Sequence, residues 1–233
     1  MASMEQALAA LGVTGDTLTP GEAAALDRDG YVLLRALIAK DRLPELRRRF
    51  EAAVLPSESW PYPRGPDIRH AMLEKDAAFL DLCLLPRVLA GVHHVFGRRF
   101  FLASFEGREP RRDGGGQSLH RDGLGPAVEC MTLLAFLDDF GPQNGATRLI
   151  PGSHLGDEPL PHCDPREIVV QGEGGDALLL HSRLIHGGTR NAGGAHRRTL
   201  IAAYFGTEQY AGRFYKLQTP DGAGEAVRSL LGE

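Results

Sequence analysis

The 233-residue chain, 42% hydrophobic, is long enough for one sizeable core, and its 26 basic and 30 acidic side chains are interspersed. With a net charge of −4 there is no basic field to hold a nucleic-acid backbone or an anionic membrane surface, so a small-molecule substrate is the expected partner. Cys83, Cys130 and Cys163 are odd in number and form no C-x-x-C pair, no run approaches the roughly 20 apolar residues of a membrane span, and Met1–Leu11 lacks a signal-peptide pattern, so reduced thiols and a cytoplasmic location are expected.

Residues 1–18 are set apart as an N-terminal segment, and 19–233 are taken as one domain. Thr19-Pro20-Gly21-Glu22 combines a capping residue, a proline at the first helical position and a capping-box glutamate, which predicts a helix to Asp29 ended by Gly30. Tyr31–Leu34 reads as a short strand. Asp41 is the expected cap of a second helix reaching Val54, with Pro44 tolerated in its first turn, and two more helices fit Asp76–Leu85 and Pro86–Phe96. Pro56–Pro66, with four prolines and the only tryptophan, Trp60, is either a lid or a plain surface connection.

From Arg99 the pattern changes to short strands between turn residues: Phe100–Phe105, Met131–Leu137, Thr147–Ile150, Glu167–Val170, Ala177–His181 and Thr199–Phe205. Helices followed by such strands indicate an α+β domain whose β part is a sandwich or closed barrel. Within it, Gly107–Gly116 carries Arg108, Arg111 and Arg112 and is either a closing, substrate-contacting loop or a merely flexible one. Tyr210–Leu231 is placed to cover a barrel mouth or a neighbouring subunit.

His120-Arg121-Asp122 is the first chemically informative triplet, because alternate residues of an extended chain point the same way and bring an imidazole and a carboxylate to one metal. Alone it is weak. His186 adds a second imidazole at a strand end, followed by the small-residue turn Gly187-Gly188, and Arg197 stands eleven positions later at the head of an apolar strand. Two imidazoles and one carboxylate on one face of an octahedral ion leave positions open for a bidentate keto acid and O₂, which suits Fe(II). An inward Arg197 needs a buried anion, and the far carboxylate of 2-oxoglutarate is one that a planar guanidinium grips at two points.

Taken together, these residues resemble the phytanoyl-CoA dioxygenase-like branch of the Fe(II)/2-oxoglutarate oxygenases. The likeness lies in Asp27–Leu33, His120-Arg121-Asp122, Leu137-Asp138-Asp139 through Asn144-Gly145 to Ile150-Pro151-Gly152-Ser153-His154, and Gly175-Asp176 leading to His186 and Arg197. It implies a double-stranded β-helix (jelly-roll, cupin-like) core with N-terminal helices packed on one sheet. It also implies Fe(II), 2-oxoglutarate and O₂, with release of succinate and CO₂. His120, Asp122 and His186 become the iron ligands and Arg197 the co-substrate's anchor. The family often has a hydroxyl residue where this chain has Gly188; Thr189 and Thr199 are candidate replacements, and Gln117 is either a contact to the keto acid or substrate or an ordinary loop residue. Since related halogenases lack the carboxylate that Asp122 supplies, hydroxylation of a small molecule (secondary metabolite, amino acid or acyl compound) is expected.

Against this stand a non-oxygenase metal-binding barrel, an isomerase or hydrolase, and an inert binding protein on the same scaffold. Among the other histidines, His181 is the rival ligand, expected on the face opposite His186. His154 should close a turn, and His196 should face away from Arg197. Asp138-Asp139 read as strand-end turn residues rather than a second metal site.

Overall fold

The computed structural model describes residues 3–52, 67–69, 76–122, 130–206, 217 and 219–233. The Pro56–Pro66 stretch with Trp60, His70, Val54 and residues 210–216 fall outside them. The first elements follow from their caps. Helix α1 (Met4–Ala10), in the segment set apart as 1–18, begins with a capping box in which Ser3 and Gln6 satisfy each other's backbone N–H groups. Helix α2 (Pro20–Asp29) has the expected box between Thr19 and Glu22 and ends at Gly30, whose φ of 78° is the left-handed cap glycine tolerates.

Strand β1 (Tyr31–Leu34) follows. Asp41 does not cap a helix: it lies within a 3₁₀ turn, Lys40–Arg42, and α3 runs from Leu43 to Ala52 with Pro44 in its first turn. The expected Asp76–Leu85 helix is broken into a 3₁₀ turn, Ala77–Phe79, and the single turn α4 (Leu80–Cys83). Asp76 accepts the Ala78 N–H and holds Arg49 at the same time, which makes a local turn there. Helix α5 (Pro86–Phe96) matches its expected bounds.

The strands are β2 (Ile68–Arg69), β3 (Phe101–Arg108), β4 (Cys130–Phe136), β5 (Thr147–Leu149), β6 (Ile168–Val169), β7 (Ala177–His181), β8 (His186–Gly188) and β9 (Thr199–Phe205), before a last helix, α6 (Glu225–Leu230). They form two antiparallel sheets, β1-β7-β4-β9-β3-β2 and β6-β5-β8. Strand β3 continues past its expected end at Phe105 because Glu106, Gly107 and Arg108 keep pairing with β9.

Side chains alternate between two cores, as the two-residue period of a strand requires. Val32, Leu34, Leu133, Ala135, Ala177, Leu179, Leu200, Ala202 and Tyr204 join residues of α1 to α6 in one cluster, so the helices cover one face of the large sheet. The alternate residues Leu33, Leu134, Phe136, Leu178 and Leu180 pack with Phe140, Leu149, Val170 and Leu184 between the sheets. The two layers meet closely: a Cβ on Gly91 of α5 would stand 2.6 Å from the Leu179 side chain. Tyr204, fully buried, donates its hydroxyl to the Cys83 carbonyl at 2.7 Å.

Asp138, at the end of β4, is clamped by Arg198 and Arg47. Burial alone would raise its carboxyl, but the Arg198 hydrogen bonds outweigh this and hold it below the usual range. Asp139 accepts the Gly174 N–H, so both carboxylates secure turns, as expected.

Gly175 carries the tightest of these turns. It has φ 102°, accepts the Ile38 N–H at 2.8 Å, and would place a Cβ 2.6 Å from the Ile38 carbonyl oxygen. Gly175→Ala should therefore lose about 2 kcal/mol or more of stability in urea unfolding; a loss below about 0.5 kcal/mol would mean that this contact relaxes freely.

Candidate active site

The chain around His120 lies antiparallel to β8. The His120 N–H donates to the His186 carbonyl at 2.8 Å, the His186 N–H returns a bond to His120 at 2.9 Å, and the Gln117 N–H donates to Gly188 at 3.0 Å. Gly187 and Gly188 are thus strand residues of β8 and not a turn. Their lack of side chains permits the approach: a Cβ would lie 2.8 Å from the Gln117 carbonyl oxygen at Gly187 and 2.5 Å from that of Gly115 at Gly188. The Asp122 N–H donates to the Ser182 carbonyl.

This pairing brings His120, Asp122 and His186 together, with one potential ligand atom from each all within 4.8 Å of one another. The Asp122 Oδ1 is 4.0 Å from His120 Nε2 and 3.7 Å from His186 Nε2. In both histidines Nδ1 faces a carbonyl, that of Ser118 at 2.8 Å and that of Leu184 at 2.9 Å. A carbonyl only accepts, so each Nδ1 carries the proton and each Nε2 presents its lone pair to the common centre. Burial lowers the His186 pKa despite the nearby Asp122 carboxylate, which favours the neutral, ligating form.

Arg121, between the two ligands of the triplet, points the other way. Its guanidinium donates to the carbonyls of Arg183, Glu158, Ser153 and Gly156, anchoring the ligand segment to the turn after β5. Sequence reasoning passed over this role; the signal was the alternation that turns residue 121 outward when 120 and 122 turn inward.

Arg197 is 2% exposed, and among the described residues its Nε has no hydrogen-bond partner and no carboxylate pairs with it. Its guanidinium carbon lies 4.6 Å from the Phe140 ring centroid. Burial, aided by the positive charge of Arg108, brings its pKa down to about 9, so it remains charged at neutral pH. The Thr199 hydroxyl, two residues on, is also buried with no partner among the described residues.

The other expected contacts are engaged. Thr189 donates its hydroxyl to the Ala146 carbonyl, and the Gln117 Oε1 accepts from Arg108 at 2.7 Å. Gly107 and Arg108 belong to β3, and the loop beyond is tied down through Asp113 N–H to the Asn191 carbonyl, Asn191 N–H to the Gly114 carbonyl and Arg111 N–H to Asp67.

His181 is excluded from the cluster for a reason other than alternation along one strand: β7 and β8 are separate strands in different sheets. Its Nδ1 accepts the Arg183 N–H. His154 lies in the turn after β5 beside the His181 ring, and His196 is exposed and paired with Glu109.

Three comparisons bear on this site. Residues 26–199 match the profile of the phytanoyl-CoA dioxygenase (PhyH) family. The chain is 28% identical over 204 residues to the dioxygenase trt7 of Aspergillus terreus, covering 75% of this chain and 69% of that one. It is 36% identical over 88 residues to the dioxygenase aneA of Aspergillus aculeatus, a match that spans 32% of this chain and only 30% of the relative. In fold it is similar to HygX from Streptomyces hygroscopicus, solved with nickel and 2-oxoglutarate bound and also with iron, at a TM-score of 0.69 for the nickel complex, with 20% identity, 82% of this chain and 88% of that one covered.

The geometry makes a direct forecast. His186→Ala should weaken Mn(II) binding to metal-free protein by on the order of a hundredfold or more, while His181→Ala leaves it within about twofold. Electron paramagnetic resonance titration of free Mn(II) reads both; a larger loss in His181→Ala would reverse the assignment.

Proposed function

The chain belongs to the phytanoyl-CoA dioxygenase (PhyH) family, and from that premise we propose that it is a non-haem, Fe(II)- and 2-oxoglutarate-dependent dioxygenase whose iron is held by His120, Asp122 and His186. The observation that carries this reading is the buried Arg197, which is paired with no carboxylate among the described residues, in the same domain as a two-histidine, one-carboxylate cluster. A hydrolytic metal site has no use for such a cation. A dicarboxylate co-substrate has, and the free Thr199 hydroxyl beside Arg197 fits the same carboxylate.

The fold is read as a double-stranded β-helix, with residues 19–233 as one catalytic domain. The alternation of strands between the large and small sheets and the likeness to HygX support this. Iron with 2-oxoglutarate supplies the oxidation of substrate by O₂, with succinate and CO₂ released.

The chain's own residues bind and orient. Ser118 and Leu184 hold the two imidazoles in the Nδ1–H form, Asp122 adds the anionic donor, and Arg197 with Thr199 receives the far end of the keto acid. Thr189 and Gln117 are kept as lesser contacts: the first steadies the chain after β8, and the second orients Arg108. The free thiols agree with a reducing, cytoplasmic setting, and no helix among the described residues is long and apolar enough to cross a membrane. A small-molecule substrate, hydroxylated at carbon, fits a centre whose three side chains are only partly buried and so can be reached from solvent; HygX has been solved with hygromycin B bound.

Anaerobic addition of Fe(II) and then 2-oxoglutarate to the metal-free protein should produce a visible charge-transfer band that requires both and is lost in His186→Ala. Arg197→Lys should raise the 2-oxoglutarate concentration for half-formation of the band by about tenfold or more, leaving the Fe(II) requirement unchanged. A well-folded protein that gives no band would overturn the oxygenase reading.

A further inference from the structure

Arg197 and Arg198 are neighbours just before β9, yet among the described residues only Arg198 is paired with a carboxylate, Asp138, while Asp67 and Glu109 act on Arg197 from a distance. What faces Arg197 instead is aromatic. The Phe140 ring lies 4.6 Å from its guanidinium carbon, and behind that ring Phe136 is stacked at 3.6 Å between centroids with an interplanar angle of 10°. The pair is fixed from outside the stack: the Phe140 and Gly172 backbones exchange hydrogen bonds, and a Cβ on Gly172 would come within 2.9 Å of the Phe136 ring. Phe136 in turn sits in register with Thr199, whose buried hydroxyl also has no partner among the described residues.

A ring stabilises a cation through its π face and accepts none of the N–H bonds that lie in the guanidinium plane. A carboxylate or carbonyl would stabilise the charge too, but by occupying those donors. We infer that Phe140, backed by Phe136, is a positioning residue for the co-substrate: it holds the Arg197 guanidinium in place from one face while leaving its N–H groups for the far carboxylate of 2-oxoglutarate. The inference rests on the proposed role of Arg197.

The test is a 2-oxoglutarate titration of the full-length, Mn(II)-loaded protein by calorimetry, with Mn(II) affinity and the thermal midpoint measured on every variant. Arg197→Ala is the control and should lose 2-oxoglutarate binding while keeping Mn(II). Phe140→Leu, which retains apolar bulk without a π face, should bind 2-oxoglutarate about tenfold more weakly with Mn(II) affinity unchanged. Replacing Phe140 with mono-, di- and trifluorinated phenylalanine keeps the ring's shape while draining its negative face, and should weaken 2-oxoglutarate binding stepwise.

If Arg197→Ala still binds 2-oxoglutarate like the parent protein, the reading of Arg197 fails and the inference with it. If Arg197→Ala is silent but Phe140→Leu and the fluorinated series stay within about twofold of the parent, Phe140 alone is overturned. A Phe140→Leu variant that loses Mn(II) and 2-oxoglutarate in parallel marks a packing role; the fluorinated series then decides, and a flat series overturns the inference.

Discussion

The site depends on one reciprocal pair of backbone hydrogen bonds, between His120 and His186. These residues are 66 positions apart in the chain, and each imidazole alone is an ordinary half-buried histidine. The pairing adds the 118–122 segment to the edge of the small sheet at β8 and sets the two rings 4.5 Å apart between centroids. Because inter-strand bonds fix register, Asp122, two residues on from His120, is brought to the same centre, with its Oδ1 3.7 Å from the His186 Nε2. Gly187 and Gly188 are the condition for this, since a methyl group at either would meet the opposing backbone.

Buried charge is handled in two opposite ways at adjacent positions. Arg198 meets Asp138 through three hydrogen bonds, a satisfied clamp that joins the end of β4 to the start of β9. Arg197, on the other side of the same backbone, is left without a counter-ion among the described residues and is partly compensated by a ring. A buried cation without its partner is costly, and a protein that retains one has stored a binding preference for an anion of matching shape. The pairing of Arg198 and the orphaning of Arg197 among the described residues thus separate scaffold from proposed site within two residues.

Much of this was legible in the residues. The Thr19–Glu22 capping box and Gly30 define α2, and short apolar runs bounded by turn residues give β7 and β9 to the residue, because local chemistry alone decides those elements. The triplet at 120–122 and Arg197 were recognisable by spacing. What local chemistry could not reveal was competition at a distance: Asp41 is a good cap in isolation, yet the chain there is held in a 3₁₀ turn before α3, and Asp76 turns from helix building to bind Arg49. Likewise the glycines after His186 resemble a turn until the partner backbone that crowds them is known. The engagement of Thr189 by Ala146 and the stacking of Phe140 on Phe136 also arise from residues that only the fold makes neighbours.

The carbonyl that fixes each imidazole of the proposed metal site lies two residues before it in the chain, Ser118 for His120 and Leu184 for His186. Orientation of each Nε2 therefore travels with a three-residue cassette rather than with the surrounding loops. The loops that join the core strands between the two cassettes can diverge in length and chemistry so long as β5 still pairs with β8 and the cassettes still meet. In evolutionary terms, retention of the proposed metal centre and diversification of what enters it are separable traits in this scaffold.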